Sequence, residues 1–292
     1  MAKPVIYFHV GYARAESTFL QKVVFPALDG LQYIQHRNFR ALASAKDRFK
    51  GEKVLISHEA DGNIFDRCDK AWETFDSQIV ISVRRHDILA ESAYRIDVKN
   101  GHTYRFPDFL DIKDDQGVRK IKDWTYLNIL EYAEKLTGKK PLLLIFEDYI
   151  NDPDFYLDTL CAYLGCDIDR AKLGHMPPHN IYSDKQLRLR RQFSQRYLSP
   201  KASKKRLINN SLESLTKWDK LKRKFIVSTS KVFMLVARLL PASLLDDEPL
   251  IDEQHSQPLR DFFAPDWAAC FEFVEQQSMR LNVARNKEVT WN

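Results

Sequence analysis

The chain opens on a continuous apolar run, Val5–Val10, that stops at a glycine. It then gives way to apolar residues at helical spacing: Phe19, Leu20, Val23 and Val24. This change of period recurs through the first 165 residues. Short apolar runs at Leu31–Ile34, Val54–Ser57, Ile79–Val83 and Leu142–Phe146 predict further strands. Between them the spacing predicts helices over Thr18–Leu28, Arg37–Phe49, Asp87–Asn100, Gly117–Thr137 and Pro153–Leu164. The last is announced by Asn151-Asp152-Pro153, a capping residue and then proline at the first helical position. Strands that lack polar alternation and are separated by helices predict α/β architecture: a three-layer α/β/α arrangement with a mostly parallel central sheet. Such sheets bind ligands at the carboxyl ends of their strands.

Beyond Gly165 the pattern is helical and rich in Lys and Arg, over Asp184–Tyr197, Leu212–Leu240 and Pro265–Val283, with no convincing strand. No sharp change of composition and no internal repeat divides the chain. The expectation is one domain over residues 1–292, with a core at about 4–165 and a helical C-terminal part at about 166–292. Ser199–Arg206 reads as an exposed loop. The helix at 217–240 is basic early and apolar late. It either closes the domain as a buried helix or makes a peripheral contact with a membrane interface. Its apolar stretch from Phe225 to Leu240 is interrupted by Lys231 and Arg238 and falls short of a membrane span. Met1-Ala2-Lys3-Pro4 runs straight into the first strand, unlike a secretory leader, so a cytoplasmic location is expected, extending to the inner face of a membrane if that helix docks there. Cys68, Cys161, Cys166 and Cys270 lack paired zinc spacing and read as buried thiols of a reducing compartment. The net charge of +5 suits anionic ligands and is too mild to argue for nucleic acid.

The first strand ends in Gly11-Tyr12-Ala13-Arg14-Ala15-Glu16-Ser17-Thr18, and a helix follows at once. A strand that turns tightly into a helix offers free backbone N–H groups to an anion, and here Arg14 adds a cation while Ser17 and Thr18 add hydroxyl donors. The nucleotide-triphosphate loop G-x-x-x-x-G-K-[ST] is not met, because Glu16 and Ser17 hold its second glycine and lysine positions. Taken alone, the segment also reads as an ordinary βα turn with an exposed arginine.

The segment resembles the 5′-phosphosulfate loop of the sulfotransferases that use 3′-phosphoadenosine 5′-phosphosulfate (PAPS). The positions that match are Gly11, Tyr12, Arg14, Ser17, Thr18, Phe19, Leu20 and Gln21, with Phe25-Pro26 similar to bacterial members. Ala13 and Glu16 stand where the family usually has proline and glycine. A second matching segment, Gln78–Arg85, leads into a helix carrying Ser92. In the family an arginine at this strand end and a serine eight residues later hold the 3′-phosphate, a role the resemblance gives to Arg84 and Ser92. Guanidinium suits that task because its fork matches phosphate oxygens. A third segment, Leu143–Pro153, is similar to a family segment to which no chemistry is assigned, and Asn180 with Ser183 looks like its C-terminal pattern. The resemblance therefore implies a P-loop-like sulfotransferase fold with a helical C-terminal extension, with PAPS as co-substrate and adenosine 3′,5′-bisphosphate as product. The acceptor it implies is a hydroxyl on a glycan or other molecule.

Sulfuryl transfer is an in-line displacement in which positioning and charge stabilisation dominate and a base accepts the hydroxyl proton. Gly11, Tyr12, Arg14, Ser17, Thr18 and Phe19 would hold the 5′ end, with Arg14 stabilising charge on the transferring group. The base is expected where Val54–Ser57 ends, at His58-Glu59. Histidine aligns with the aryl and steroid members and glutamate with carbohydrate-type members. Free histidine titrates near about 6.5 and glutamate near about 4.3, so glutamate would need partial burial. His36 is an outside candidate. Tyr94, Arg95, Lys99 and Asn100 either face an acceptor cleft or form a solvated helix face. Two rival readings are a sulfotransferase-like nucleotide-binding protein disabled by Glu16 and a kinase on the same fold. A third is a basic interaction protein acting through Lys201–Arg206 and the late helices, which would bind no nucleotide.

Overall fold

The computed structural model describes residues 3–285 except 13, 16, 36–42, 45, 47, 61–63, 175–181, 198–216 and 246–247. The chain divides into two compact units built from interleaved segments: Met1–Leu89, Lys122–Pro177 and Phe263–Asn292 in the first, Ala90–Ile121 and Pro178–Phe262 in the second.

The first unit holds the sheet. Its strands are β1 (Val5–Tyr12), β2 (Leu28–Asp29), β3 (Gln32–Gln35), β4 (Lys53–Ala60), β5 (Gln78–Val83), β6 (Leu142–Ile145) and β7 (Asp167–Ile168). Five of them form a parallel sheet in the order β3-β4-β1-β5-β6. The expected strand positions hold to within a few residues. The exception is a two-residue antiparallel pairing of β2 with β7, which puts strand into the part read as wholly helical. The chain leaves β1 toward β3 on one side and leaves β5 toward β6 on the other. Adjacent strands whose outgoing connections diverge open a crevice beyond their carboxyl ends.

Helices cover both faces of the sheet. The helical run Ser17–Ala27 and the helix Pro153–Leu164 bury Phe19, Leu20, Val24, Phe25, Tyr156, Leu157 and Leu160 against Tyr7, Leu55, Val80, Leu142 and Leu144. On the other face lie the helices Ile64–Phe75 and Tyr126–Thr137, packed on β1 and β5 and on each other. The helix Pro153–Leu164 starts as the sequence predicts, with the Asp152 carboxylate accepting from Phe155 N at 3.1 Å. The helix expected from Gly117 starts only at Tyr126. Its first residues are spent elsewhere, since Val118 N and Arg119 N donate to Asp108 O (2.9 Å) and Phe109 O (2.8 Å). Gly117 there lies so close to the neighbouring backbone that a Cβ would sit 2.6 Å from Asp111 N. Tyr126 N and Leu127 N are instead satisfied by the Asp266 carboxylate, at 2.9 and 3.1 Å, a cap supplied from 140 residues away.

The last helix runs Glu253–Leu281, twelve residues longer at its start than Pro265 suggests, and passes through both Pro258 and Pro265. From it Gln277 satisfies the outer edge of β6, accepting from Leu143 N at 2.9 Å and donating to Leu143 O at 3.1 Å. Most of the helix expected over Arg37–Phe49 lies outside the described residues, as do Asn180 and the loop at 199–206. Cys68 and Cys270 are buried as expected, but Cys161 and Cys166 are half-exposed, at a helix end closed by Gly165.

In the second unit the helix Asp184–Tyr197 starts with a reciprocal cap: Gln186 N donates to Ser183 Oγ (3.3 Å) and Ser183 N to Gln186 Oε1 (2.9 Å). Arg191 from this helix is buried, paired with Glu248 Oε2 at 3.2 Å and donating to Tyr94 Oη at 3.3 Å. Tyr94 itself is fully buried and donates to Tyr104 O at 3.0 Å, so its side chain does not line an open cleft. Arg95 pairs with Asp184, and Lys99 lies over the Tyr182 ring.

Candidate active site

Residues two apart on a strand share a face of the sheet. On the face under Ser17–Ala27, stepping by two leads from the partners Tyr7 and Leu55 to a row of His9, Ser57, Val80 and Leu142. Above it come Gly11, Glu59, Ser82 and Leu144, with Arg84 and Phe146 just past the carboxyl ends of β5 and β6. The site is thus the top row of a face whose lower rows are core.

A buried polar chain crosses this face. Gln35 Nε2 donates to Gln21 Oε1 (2.8 Å), and Gln21 Nε2 donates to Ser57 Oγ (2.9 Å). His9 lies between Ser57 Oγ, 2.8 Å from Nδ1, and Ser82 Oγ, 3.0 Å from Nε2. One assignment of protons satisfies every link: Ser57 O–H donates to Nδ1, and Nε2–H donates to Ser82. Burial holds His9 in its neutral form, with its pKa lowered to about 3. Three strands are tied together directly beneath the loop. Gly11 is required by this packing, because a Cβ there would fall 2.2 Å from Ser82 Oγ and 3.2 Å from the His9 ring.

Past β1 the chain turns back, with Ala15 N donating to Tyr12 O at 3.0 Å. Arg14, half-buried in this turn, has φ +83°, the left-handed region that non-glycine residues rarely occupy. A side chain kept there costs of order 1 kcal/mol and persists only where the surroundings enforce it. Ser17 Oγ donates to Tyr12 O and to Glu59 Oε1, each at 3.2 Å, and Thr18 Oγ1 donates to the same carboxylate oxygen at 3.4 Å. The run that follows has only three α-helical residues, Ser17–Phe19, before widening to π geometry over Leu20–Val24. What this turn offers an anion is therefore its hydroxyls and loop amides rather than a long helix dipole.

The side chains of Tyr12 and Phe19 point away from the seat. Tyr12 is buried against Trp124 and Tyr126, with its hydroxyl donating to Asp123 O. Phe19 packs on Tyr149 in the core, leaving its backbone amide as its group at the loop. Glu59 is exposed at the end of β4, so the partial burial expected of a glutamate base is not met, and its carboxylate meets the loop hydroxyls. His58, one residue earlier on the same strand, projects to the opposite face by strand alternation.

Arg84 follows β5, the strand hydrogen-bonded to β1, so Arg84 and Arg14 stand beyond the ends of neighbouring strands about 4.8 Å apart. The Arg84 guanidinium lies 5.2 Å from the centre of the Phe146 ring, and its carbonyl accepts from Tyr126 Oη at 2.7 Å. Arg85 is engaged differently, forking onto Asp87 at 2.7 and 3.0 Å. Ser92 lies on the helix His86–Lys99, which starts in the first unit and continues into the second. Beside Arg84, Glu147 Oε1 accepts from Arg85 N at 3.1 Å, and burial raises the pKa of this carboxyl against the pull of both arginines. His36 and Glu16 lie outside the described residues.

The chemistry that sequence reasoning missed is the polar chain of His9, Ser57, Ser82, Gln21 and Gln35. Its signal was a histidine inside an otherwise apolar strand, with Ser57 at the same depth in β4 and Ser82 one row higher in β5.

No protein-family model matches the chain, and no curated protein matches it. Among solved structures it is similar to a sulfotransferase from Alicyclobacillus acidocaldarius, at 17% identity and a TM-score of 0.46, over 65% of this chain and 90% of that one. It is also similar to the mouse sulfotransferase SULT7A1 complexed with PAP, at 12% identity and a TM-score of 0.42, over 82% of this chain and 88% of that one.

Proposed function

We propose that the chain is a sulfotransferase that moves a sulfuryl group from PAPS to a hydroxyl of a carbohydrate by in-line displacement. The observation that carries this reading is the pairing of two cationic strand ends, Arg14 beyond β1 and Arg84 beyond β5, with a carboxylate on the loop hydroxyls between strand and helix. Glu59 accepts there as a phosphate oxygen would, so the donors Ser17 and Thr18 fit an anionic oxygen by direct example.

Bound PAPS would supply an activated sulfuryl group and a phosphate at each end of its ribose. Ser17, Thr18 and the backbone amides of the loop, including that of Phe19, hold the 5′-phosphate, with Gly11 keeping the strand end free of a side chain. Arg14 stabilises negative charge on the transferring group and, being always protonated, donates no proton. Arg84 and Ser92 hold the 3′-phosphate, the feature that separates this nucleotide from AMP and ATP. Glu59 accepts the proton of the acceptor hydroxyl once the 5′-phosphate has taken over Ser17 and Thr18. Since Glu59 and not His58 shares the loop's face, the arrangement favours the glutamate chemistry that the carbohydrate-type resemblance implies.

Calorimetric titration tests the reading. Adenosine 3′,5′-bisphosphate should bind at least about tenfold more tightly than AMP or ATP, and Arg84→Ala and Ser92→Ala should remove that preference. Equal affinity for the bisphosphate and AMP in the unaltered protein overturns the assignment. Labelled PAPS offered with desulfated polysaccharides then separates an active transferase from a binding module.

A further inference from the structure

The helix Lys217–Leu239 carries two apolar faces, and its own unit uses one. Met234 and Ala237 are buried, Phe233 packs on Phe193 with ring centres 4.9 Å apart, and Gln186 Nε2 donates to Met234 O at 2.7 Å. The expectation of a buried closing helix is therefore corrected: this face docks on the helix Asp184–Tyr197, and the described apolar residues of the opposite face are exposed. At about 100° per residue, Trp218, Leu221, Phe225, Val232, Leu235 and Leu239 fall in one sector of about 100°, a stripe about 30 Å long. These are not marginal exposures: Leu239 is 85% exposed, Trp218 72%, Phe225 69% and Leu235 68%.

We infer that this stripe is a docking surface for a membrane rich in anionic lipid, along which the helix lies in the interface plane. Charge selects that occupant. Over residues 217–239 the sequence has seven cations (Lys217, Lys220, Lys222, Arg223, Lys224, Lys231, Arg238) against one acid, Asp219. The whole chain carries only +5, so its positive charge is concentrated on this helix. A second copy would bring an equally cationic helix against it, whereas anionic headgroups complement both the charge and the apolar stripe. Among the described residues no helix is long and apolar enough to cross a membrane, so the contact is one of lying on the surface. This inference stands apart from the reading of the active site.

The test is co-sedimentation of the full chain with vesicles of phosphatidylcholine alone and with about 30% phosphatidylserine, at low salt and near 1 M salt, where screening is nearly complete. Binding to the anionic vesicles is expected to be at least about tenfold stronger than to the neutral ones and to weaken at high salt. The double variant Val232→Glu/Leu235→Glu, both sites being exposed, should lose about tenfold or more while its thermal melting is unchanged. If that variant melts early, Leu239→Glu replaces it. Failure of the parent chain to bind either vesicle, equal binding to both, or full binding by a folded variant overturns the inference. So does a self-association in sedimentation velocity that the variant abolishes while no vesicle binding is seen, which would assign the stripe to a second copy.

Discussion

Ser17 Oγ donates to Glu59 Oε1 across 3.2 Å, and Thr18 joins the same oxygen from 3.4 Å. A carboxylate thus occupies the donors that the proposed function assigns to a phosphate, and under that proposal it moves before the nucleotide seats. Replacing it by an amide removes both a competitor for the hydroxyls and a negative charge beside the anion. Glu59→Gln is therefore expected to bind adenosine 3′,5′-bisphosphate as tightly as the parent or up to about tenfold more tightly, and to lose about 100-fold or more in kcat. Calorimetry and a labelled-sulfate assay on the same preparation check both halves. Weaker nucleotide binding with unchanged kcat removes Glu59 from the role of base.

Arg14 at φ +83° sets backbone strain against the role proposed for its side chain. Glycine takes that conformation without strain, whereas alanine keeps the strain and loses only the guanidinium. Arg14→Gly should raise unfolding free energy by about 0.5–1 kcal/mol and Arg14→Ala should not, while both should cut turnover by about 100-fold. Urea unfolding of the two variants separates backbone relief from side-chain loss. Equal stabilities would mean that the turn in solution does not hold residue 14 left-handed.

The parallel sheet was legible because its strands are apolar on both faces and its helices carry 3.6-residue periodicity. The positions of the loop and of Arg84 were legible because each directly follows an apolar strand. What failed depended on partners distant in sequence. The start of the helix Tyr126–Thr137 is set by Asp266. The choice between His58 and Glu59 needs the face on which Ser17–Ala27 lies, a fact of strand order and not of local pattern. Tyr94 looked equally suited to a cleft or a surface and is neither, since it is buried under Arg191 and Tyr104.

Gly11 belongs to a motif read as ligand-binding, yet its nearest constraint is internal. A methyl group at this position would meet Ser82 Oγ at 2.2 Å. Gly11→Ala is expected to cost about 1–3 kcal/mol by overpacking. Ser82→Ala removes the oxygen that is struck, so Gly11→Ala/Ser82→Ala should recover part of that loss, making the pair non-additive by about 1 kcal/mol. Denaturant midpoints of the four proteins of the cycle measure the coupling. Strict additivity would show that the strain is relieved by the backbone and not by Ser82.

Two buried groups set opposite slopes of stability with pH. His9 titrates at about 3 in the folded protein because burial disfavours its cation, against about 6.5 when unfolded. From about pH 6.5 down to 3 the unfolded chain therefore binds the extra proton, and His9 makes stability fall as pH falls. Asp148 moves the other way. Burial raises its carboxyl to about 7, although Arg285 Nη1 donates to it at 2.9 Å and pulls it back. Between about pH 4 and 7 the folded state holds that proton, so Asp148 makes stability fall as pH rises. Each slope approaches about 1.4 kcal/mol per pH unit, and over the shared range they nearly cancel. The difference in unfolding free energy between Asp148→Asn and the parent should grow from about pH 4 to 7, the variant gaining relative stability as pH rises. The corresponding difference for His9→Gln should run in the opposite sense, its relative stability being highest near pH 4 and lost toward 6.5. Urea titrations at four pH values across this interval give both difference profiles, and a flat profile for either variant shows that the replaced group titrates in the folded protein as it does in the unfolded chain.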